Sequence, residues 1–253
     1  MSLFESNQGL GLGFPRSAAA AVGVALNAEI QINGLLLDPI FRSTQEGLLT
    51  DLRIGGQPVL CSDLGVGIRC FDFTAQVEGK RALALPVKRR SQIQASFTLD
   101  AAGFVVGAIG VDPIPEEEAR EMNDPAMAAR LSYIFGLGRT VCAPLADFTI
   151  TAVCRKGCDL GAMVLYGTGT ALDDITIFDI SMNNKPLMSG RGGPTIGAAV
   201  DEMALGFFDF QRTDLDGRTL NARIEQNDIL IIRGHNYNIA AINVFGGIFT
   251  QPE

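Results

Sequence analysis

The chain says part of itself twice, and a repeat limits the possible folds more sharply than composition does. Asp51-Leu52-Arg53-Ile54-Gly55-Gly56-Gln57-Pro58-Val59-Leu60 returns as Asp179-Ile180-Ser181-Met182-Asn183-Asn184-Lys185-Pro186-Leu187-Met188, and both the Asp pair and the Pro pair lie 128 residues apart. Phe71-Asp72-Phe73 returns as Phe208-Asp209-Phe210, and Arg81-Ala82-Leu83 as Arg218-Thr219-Leu220, at an offset of 137. Residues 104–110 are echoed by 241–247, and the copies close on Pro113 and Pro252. The offset grows between Leu60 and Phe71 in the first copy, against Met188 and Phe208 in the second. A longer loop is expected there in the second copy. Two similar units in one chain of 253 residues are therefore predicted.

Within each copy the pattern is that of short strands. Residues 92–99 alternate polar and apolar, which fits an antiparallel sheet with one wet face. Leu52-Arg53-Ile54, a Gly55-Gly56-Gln57-Pro58 turn and Val59-Leu60 read as strand, turn, strand. Residues 68–77, 82–87 and 104–111 supply further strands in the first copy. Residues 148–153, 162–166, 174–182, 207–211, 224–233 and 237–249 do so in the second. The fold class is all-β: two tandem antiparallel β-sandwich or jelly-roll units, at 28–114 and 148–253. A helical linker is expected over 115–147, because Pro115 followed by Glu116, Glu117 and Glu118 has the chemistry of a helix N-terminus. Residues 126–135 form its second short helix, with Gly136-Leu137-Gly138 as the stop. Residues 1–27 read as an extended arm, in which Gly9, Gly11 and Gly13 alternate with apolar residues. Such a segment is costly to order by itself. It either orders against a subunit or the domain base, or remains a tail.

Charged residues make up 19% of the chain, below the roughly 25% of ordinary soluble domains, and apolar residues 47%. A surface with few charges is expected to be covered by neighbours in an oligomer; a compact monomer with a Gly-, Ser- and Thr-rich surface is the other reading. The net charge of −8 argues against a protein that coats nucleic acid. The five cysteines, with no secretory signal in view, point to free thiols in a reducing compartment. Cys154 and Cys158 resemble half a metal site, yet His235 is the only histidine in the chain, so buried free thiols are the better reading. Cys61 and Cys70 flank a hairpin loop and could face each other.

Catalytic sets are sparse. A triad needs a histidine base, and His235 falls in Arg233-Gly234-His235-Asn236, which reads as a turn. No Gly-x-Ser-x-Gly elbow occurs. Asp51 with Asp179, and Asp72 with Asp209, hold matching places in the two copies, which favours a structural role over one asymmetric site. The chain thus reads as a non-enzyme, with no cofactor, no metal and no catalytic residue.

Two tandem sandwich units, a Gly-rich arm and no catalytic set resemble the double jelly-roll major capsid proteins of tailless icosahedral viruses and phages. The resemblance is one of architecture over 28–252. It implies a structural virion protein, found in the virion after assembly in the host cytoplasm and forming trimeric pseudo-hexagonal capsomers. The partners implied are further copies of the chain as a homotrimer within a shell, other virion proteins and an internal membrane, with no sequence-specific nucleic-acid binding. Gly9, Gly11, Gly13, Phe14, Arg16, Lys88, Arg89, Arg90 and Arg191 are the expected intersubunit contacts, within the segments 9–16, 88–90 and 189–194. The alternatives are a virion decoration or spike protein, another ligand-binding β-sandwich module, or an enzyme whose cleft holds Asp51 or Asp209.

Overall fold

The computed structural model describes residues 8–13, 16–17, 21–36, 40–71, 85–113, 133–167, 175–189, 203–204 and 219–249. These residues are almost entirely antiparallel β-strand. The chain divides into two units. The first comprises Met1–Leu60, Gly67–Ile134 and Phe249–Glu253; the second comprises Cys61–Val66 and Phe135–Ile248.

The strands of the first unit are β1 (Gln8–Gly13), β2 (Arg16–Ser17), β3 (Ala21–Glu29), β4 (Gly34–Leu36), β5 (Ile40–Ser43), β6 (Gly47–Ile54), β7 (Gln57–Pro58), β8 (Val66–Gly67), β9 (Leu85–Val87), β10 (Gln92–Leu99) and β11 (Gly103–Pro113). One sheet runs β1-β11-β4-β9, with β2 and β5 also on β11; the other runs β3-β10-β6-β7, with β8 on β6. Strand β10 shows why this chain makes sheet. Its side chains alternate along the strand, so that Ile93, Ala95, Phe97 and Leu99 are buried while Gln92 and Gln94 are exposed. Phe97 meets Phe41 edge to face with ring centres 5.1 Å apart, and Phe41 meets Phe71 at 5.0 Å. Such aromatic pairs add about 0.5–1.5 kcal/mol each beyond their buried area.

The strands of the second unit are β12 (Ile134–Cys142), β13 (Ala146–Val153), β14 (Cys158–Gly167), β15 (Ile175–Met182), β16 (Lys185–Ser189), β17 (Met203–Ala204), β18 (Thr219–Ile224), β19 (Ile229–Asn236) and β20 (Ile242–Phe249). Their sheets run β12-β20-β14-β18 and β13-β19-β15-β16, with β17 on β15. The order matches the first unit sheet for sheet. The matching hairpins β6–β7 and β15–β16 both turn through two positive-φ residues, Gly55 and Gly56 in one, Asn183 and Asn184 in the other. Gly and Asn are the residues that enter the left-handed region at least cost, and this turn suits the twist of a hairpin. The repeated decapeptide is therefore one hairpin made with two different turn chemistries.

Three local expectations change, and the arm takes one of its two readings. Residues 134–142, expected at the end of a helical linker, form β12, and the rest of that linker over 114–132 lies outside the described residues. Of the two readings of the arm, the described part follows the ordered one, but as strands of the first unit's sheets: β1 pairs with β11 and β3 with β10. The strand expected over 68–77 is instead a turn at 68–69 leading into helical backbone at 70–71, beyond which the described residues stop. His235 belongs to strand β19, and the breaks on either side of that strand fall at 225–228 and 237–241.

Candidate functional site

The outer face of the second unit's five-stranded sheet carries a compact polar group. On β13, Phe148, Ile150 and Ala152 point into the core, which leaves Asp147, Thr149 and Thr151 outside. On β19, Leu230, Ile232 and Asn236 are buried, so Ile231, Arg233 and His235 face outward. Strand register then brings these residues together. Asp147 lies opposite His235, which lies opposite Thr176 of β15; Thr149 lies opposite Arg233, which lies opposite Asp179.

His235 Nδ1 is 2.7 Å from Asp147 Oδ1, and Arg233 Nη1 donates to Asp179 Oδ2 at 2.7 Å. The His235 side chain is 19% exposed and that of Asp147 50%, so the imidazole is largely sheltered while its carboxylate partner stays wet. The Tyr237 ring lies 4.4 Å from that of His235, centre to centre. In a neutral imidazole whose Nδ1 donates to a carboxylate, the lone pair lies on Nε2, the arrangement in which an imidazole serves as a base.

Two neighbours hold the histidine in place. Gly234 lies where an added Cβ would meet the Phe148 ring and the Thr176 carbonyl, so β13 and β15 close tightly on β19 beside the imidazole. Asn236 is fully buried, and its Nδ2 donates to the carbonyls of Ala143 and Ala240 at 3.0 Å while its Oδ1 accepts from the Asn238 amide at 2.9 Å. It ties the 143–146 and 237–241 turns to the end of β19.

The first unit has no such group at the matching positions. There Ser96 and Thr98 of β10 stand where Arg233 and His235 stand in β19, and Asp51 pairs with Arg53 of its own strand at 2.8 Å. Asp179 and Asp51 each hold an arginine on an outer sheet face; Asp72 and Asp209 lie outside the described residues.

The remaining expected contact residues are dispersed. Gly9, Gly11 and Gly13 lie in β1, and Arg16 in β2 opposite Phe104. Lys88, Arg89 and Arg90 form the exposed turn before β10, where the Arg89 amide donates to Asn33 Oδ1 at 2.9 Å and the Arg90 amide to the Ile30 carbonyl at 2.7 Å. Phe14 and Arg191 lie outside the described residues. All five cysteines are buried free thiols, and Cys61 meets Cys158 instead of Cys70. Among the described residues no group of three or more His, Cys, Asp or Glu side chains is placed to hold a metal ion.

The fold is thus that of an all-β protein of two units. No family model matches the chain. Over 123 residues it is 31% identical to 2-(3-amino-3-carboxypropyl)histidine synthase subunit 2 of Pongo abelii and 30% identical to the Homo sapiens protein of the same name. The match takes in 47% of this chain and 24% of each relative, so the chain spans about a quarter of the length of the curated relatives it matches. Among solved structures, the major capsid protein P2 from Bacteriophage PM2 is similar at a TM-score of 0.30 and 9% identity, over 94% of this chain and 97% of that one. A superposition at that level is too loose to define a fold or a role.

The curated relatives correct two expectations. The reading of the chain as a self-assembling capsid protein, with decoration, spike or ligand-binding modules as its alternatives, gives way because the relatives are subunits of an enzyme. The reading as a non-enzyme gives way for the same reason. Its physical premise also fails, since His235 is not in a turn but in a strand, bonded to a carboxylate.

Proposed function

We propose that the chain works as part of an enzyme, with the outer face of β13, β19 and β15 turned toward the substrate and the Asp147–His235 pair handling a proton there. The observation that carries this reading is the 2.7 Å contact between His235 Nδ1 and Asp147 Oδ1, which leaves Nε2 outside that bond. The relatives' name describes the attachment of a 3-amino-3-carboxypropyl group to histidine. That group ends in an ammonium and a carboxylate. Arg233 offers a cation, and Asp147 an anion, within one patch. Substitution at a carbon of an imidazole ring releases that carbon's hydrogen, and a base fixed beside the ring is suited to take it as a proton.

The test supplies the purified chain, together with the other subunit of such a synthase, with a donor of the group and a histidine-containing protein acceptor. Mass spectrometry then reads the modified histidine. Wild type is expected to form it and His235→Gln to fall by about 100-fold or more, with unchanged circular dichroism. Absence of product with wild type, or full activity in His235→Gln, overturns the reading.

For the architecture, the finer reading is that each unit is a jelly roll. The strand orders β12-β20-β14-β18 and β13-β19-β15-β17 support it, with β16 as the outer arm of a hairpin. A crystal structure in which β13 neighbours β14 would sink this assignment.

A further inference from the structure

The sulfurs of Cys61 and Cys158 lie 3.2 Å apart, and the residues are 97 positions apart in the chain. Both residues belong to the second unit, Cys61 through the short segment Cys61–Val66 and Cys158 at the first position of β14. Neither is placed there by chance packing of two mobile side chains, because the backbone around Cys61 is fastened on both sides. Ser62 bridges Cys154, and the Asp63 amide donates to the Val153 carbonyl at 3.0 Å. The Val153 amide in turn donates to Asp63 Oδ1 at 2.7 Å, and the Arg155 amide to the Cys61 carbonyl at 2.7 Å. The third thiol of the neighbourhood, Cys154, is turned away and donates to the Lys156 carbonyl at 3.0 Å.

We propose that Cys61 and Cys158 are an oxidative modification site, a dithiol that closes to an intrachain disulfide under peroxide and reopens under thiol reductants. The sulfurs need approach by only about 1 Å to reach the roughly 2.05 Å of a disulfide bond, a distance that side-chain rotation can supply. The hydrogen bond to Cys158, with burial, raises the pKa of Cys61 and keeps it a protonated thiol. Cys158, at 3% exposure against 0% for Cys61, is the sulfur that a small oxidant meets first. The Cys158 sulfur attacks one oxygen of hydrogen peroxide, the O–O bond breaks, and the thiol proton leaves with the other oxygen, giving a sulfenic acid and one water. The Cys61 sulfur then displaces the hydroxyl from Cys158 sulfur, its own proton leaves with that hydroxyl as a second water, and the S–S bond forms. Two thiols and one peroxide thus give one disulfide and two waters. Reduction by two thiol equivalents reverses the step by exchange.

The experiment treats the full chain with hydrogen peroxide, quenches free thiols by alkylation, and maps the non-reduced peptides. A linked pair of peptides holding Cys61 and Cys158 is expected, absent in Cys61→Ser and in Cys158→Ser and retained in Cys154→Ser. The link closes a long loop, so the thermal midpoint of the oxidised protein is expected to rise by about 10 °C and to fall back with dithiothreitol. A link between Cys154 and Cys158, stable sulfinic acid without any link, or thiols untouched by peroxide overturns the proposal. The wild-type map decides the matter if a serine variant does not fold.

Discussion

At the scale of single residues, Asn183 shows how one side chain can be asked to do several things. It takes a positive φ in the β15–β16 turn, donates from Nδ2 to Asp228 Oδ1 at 2.6 Å, and accepts at Oδ1 from the Ile229 amide at 2.9 Å. Asp228 also accepts from the Glu225 amide at 2.8 Å. The bond from Asn183, and after it the one from Glu225, lowers the Asp228 pKa below its ordinary value of 3.8. A carboxylate with a depressed pKa stabilises the folded chain above the unfolded-state value, and the contribution fades as the pH falls from there through the folded-state value. Asp228→Asn is therefore expected to lower the urea midpoint at pH 7, with the gap to wild type narrowing below pH 3.8. Parallel urea titrations from pH 7 to pH 2.5 check this; a gap that stays constant over the range contradicts it. Little of this was legible from sequence. Asn183-Asn184 announces a turn, but nothing in the order of residues says that Asp228, 45 positions on, would close over it. The Asp147–His235 contact, across 88 positions, was hidden for the same reason.

At the scale of elements, what could be read was the side-chain alternation. Strand β10 was plain because four apolar side chains alternate with polar ones along eight residues. Strand β19 has the same alternation, yet Gly234 before His235 imitates a turn. The glycine is there because Phe148 and the Thr176 carbonyl leave no room for a Cβ, a matter of strand packing. Gly234→Ala is accordingly expected to cost about 1–3 kcal/mol of stability through overpacking, and to displace His235 from Asp147. Equilibrium unfolding measures the first effect. Because the chain has a single histidine, the imidazole proton resonances report the second without assignment ambiguity. Unchanged stability and unchanged resonances would contradict this account of Gly234. Strand β1 was not legible as a strand for a related reason. Glycine at Gly9, Gly11 and Gly13 leaves no side-chain pattern by which to see a strand, although the backbone pairs with β11 from Gln8 to Gly13. The alternation of glycine and apolar residues left open whether the arm orders against the domain or stays a tail, because the strand that anchors it lies about a hundred residues away in the chain.

At the scale of the whole molecule, the repeat was the most legible feature and led to the division into two units of matching strand order. What it did not show is how differently the two outer faces have been furnished, since only the second places a histidine beside a carboxylate. Equivalent scaffolds with unequal surfaces are what one expects when buried residues answer to packing and outward residues answer to function. One prediction belongs here. Phe249, at the end of β20, is counted with the first unit and meets Phe71 edge to face at 5.7 Å. Phe249→Ala is expected to destabilise the first unit by about 3–5 kcal/mol. Hydrogen exchange of the β10 and β6 amides, compared with those of β19 and β15, would register it as a loss of protection in the first pair; equal loss in both would contradict it.

That membership has a consequence for how the chain is made. The first unit draws on residues from near the start of the chain and on Phe249, so a ribosome that has delivered residues up to 134 has not yet delivered all of its parts. The unfinished unit must wait through the synthesis of more than a hundred further residues with Phe71 packed on Phe41 but still lacking the Phe249 ring. The order of translation and the order of folding are, for this molecule, not the same.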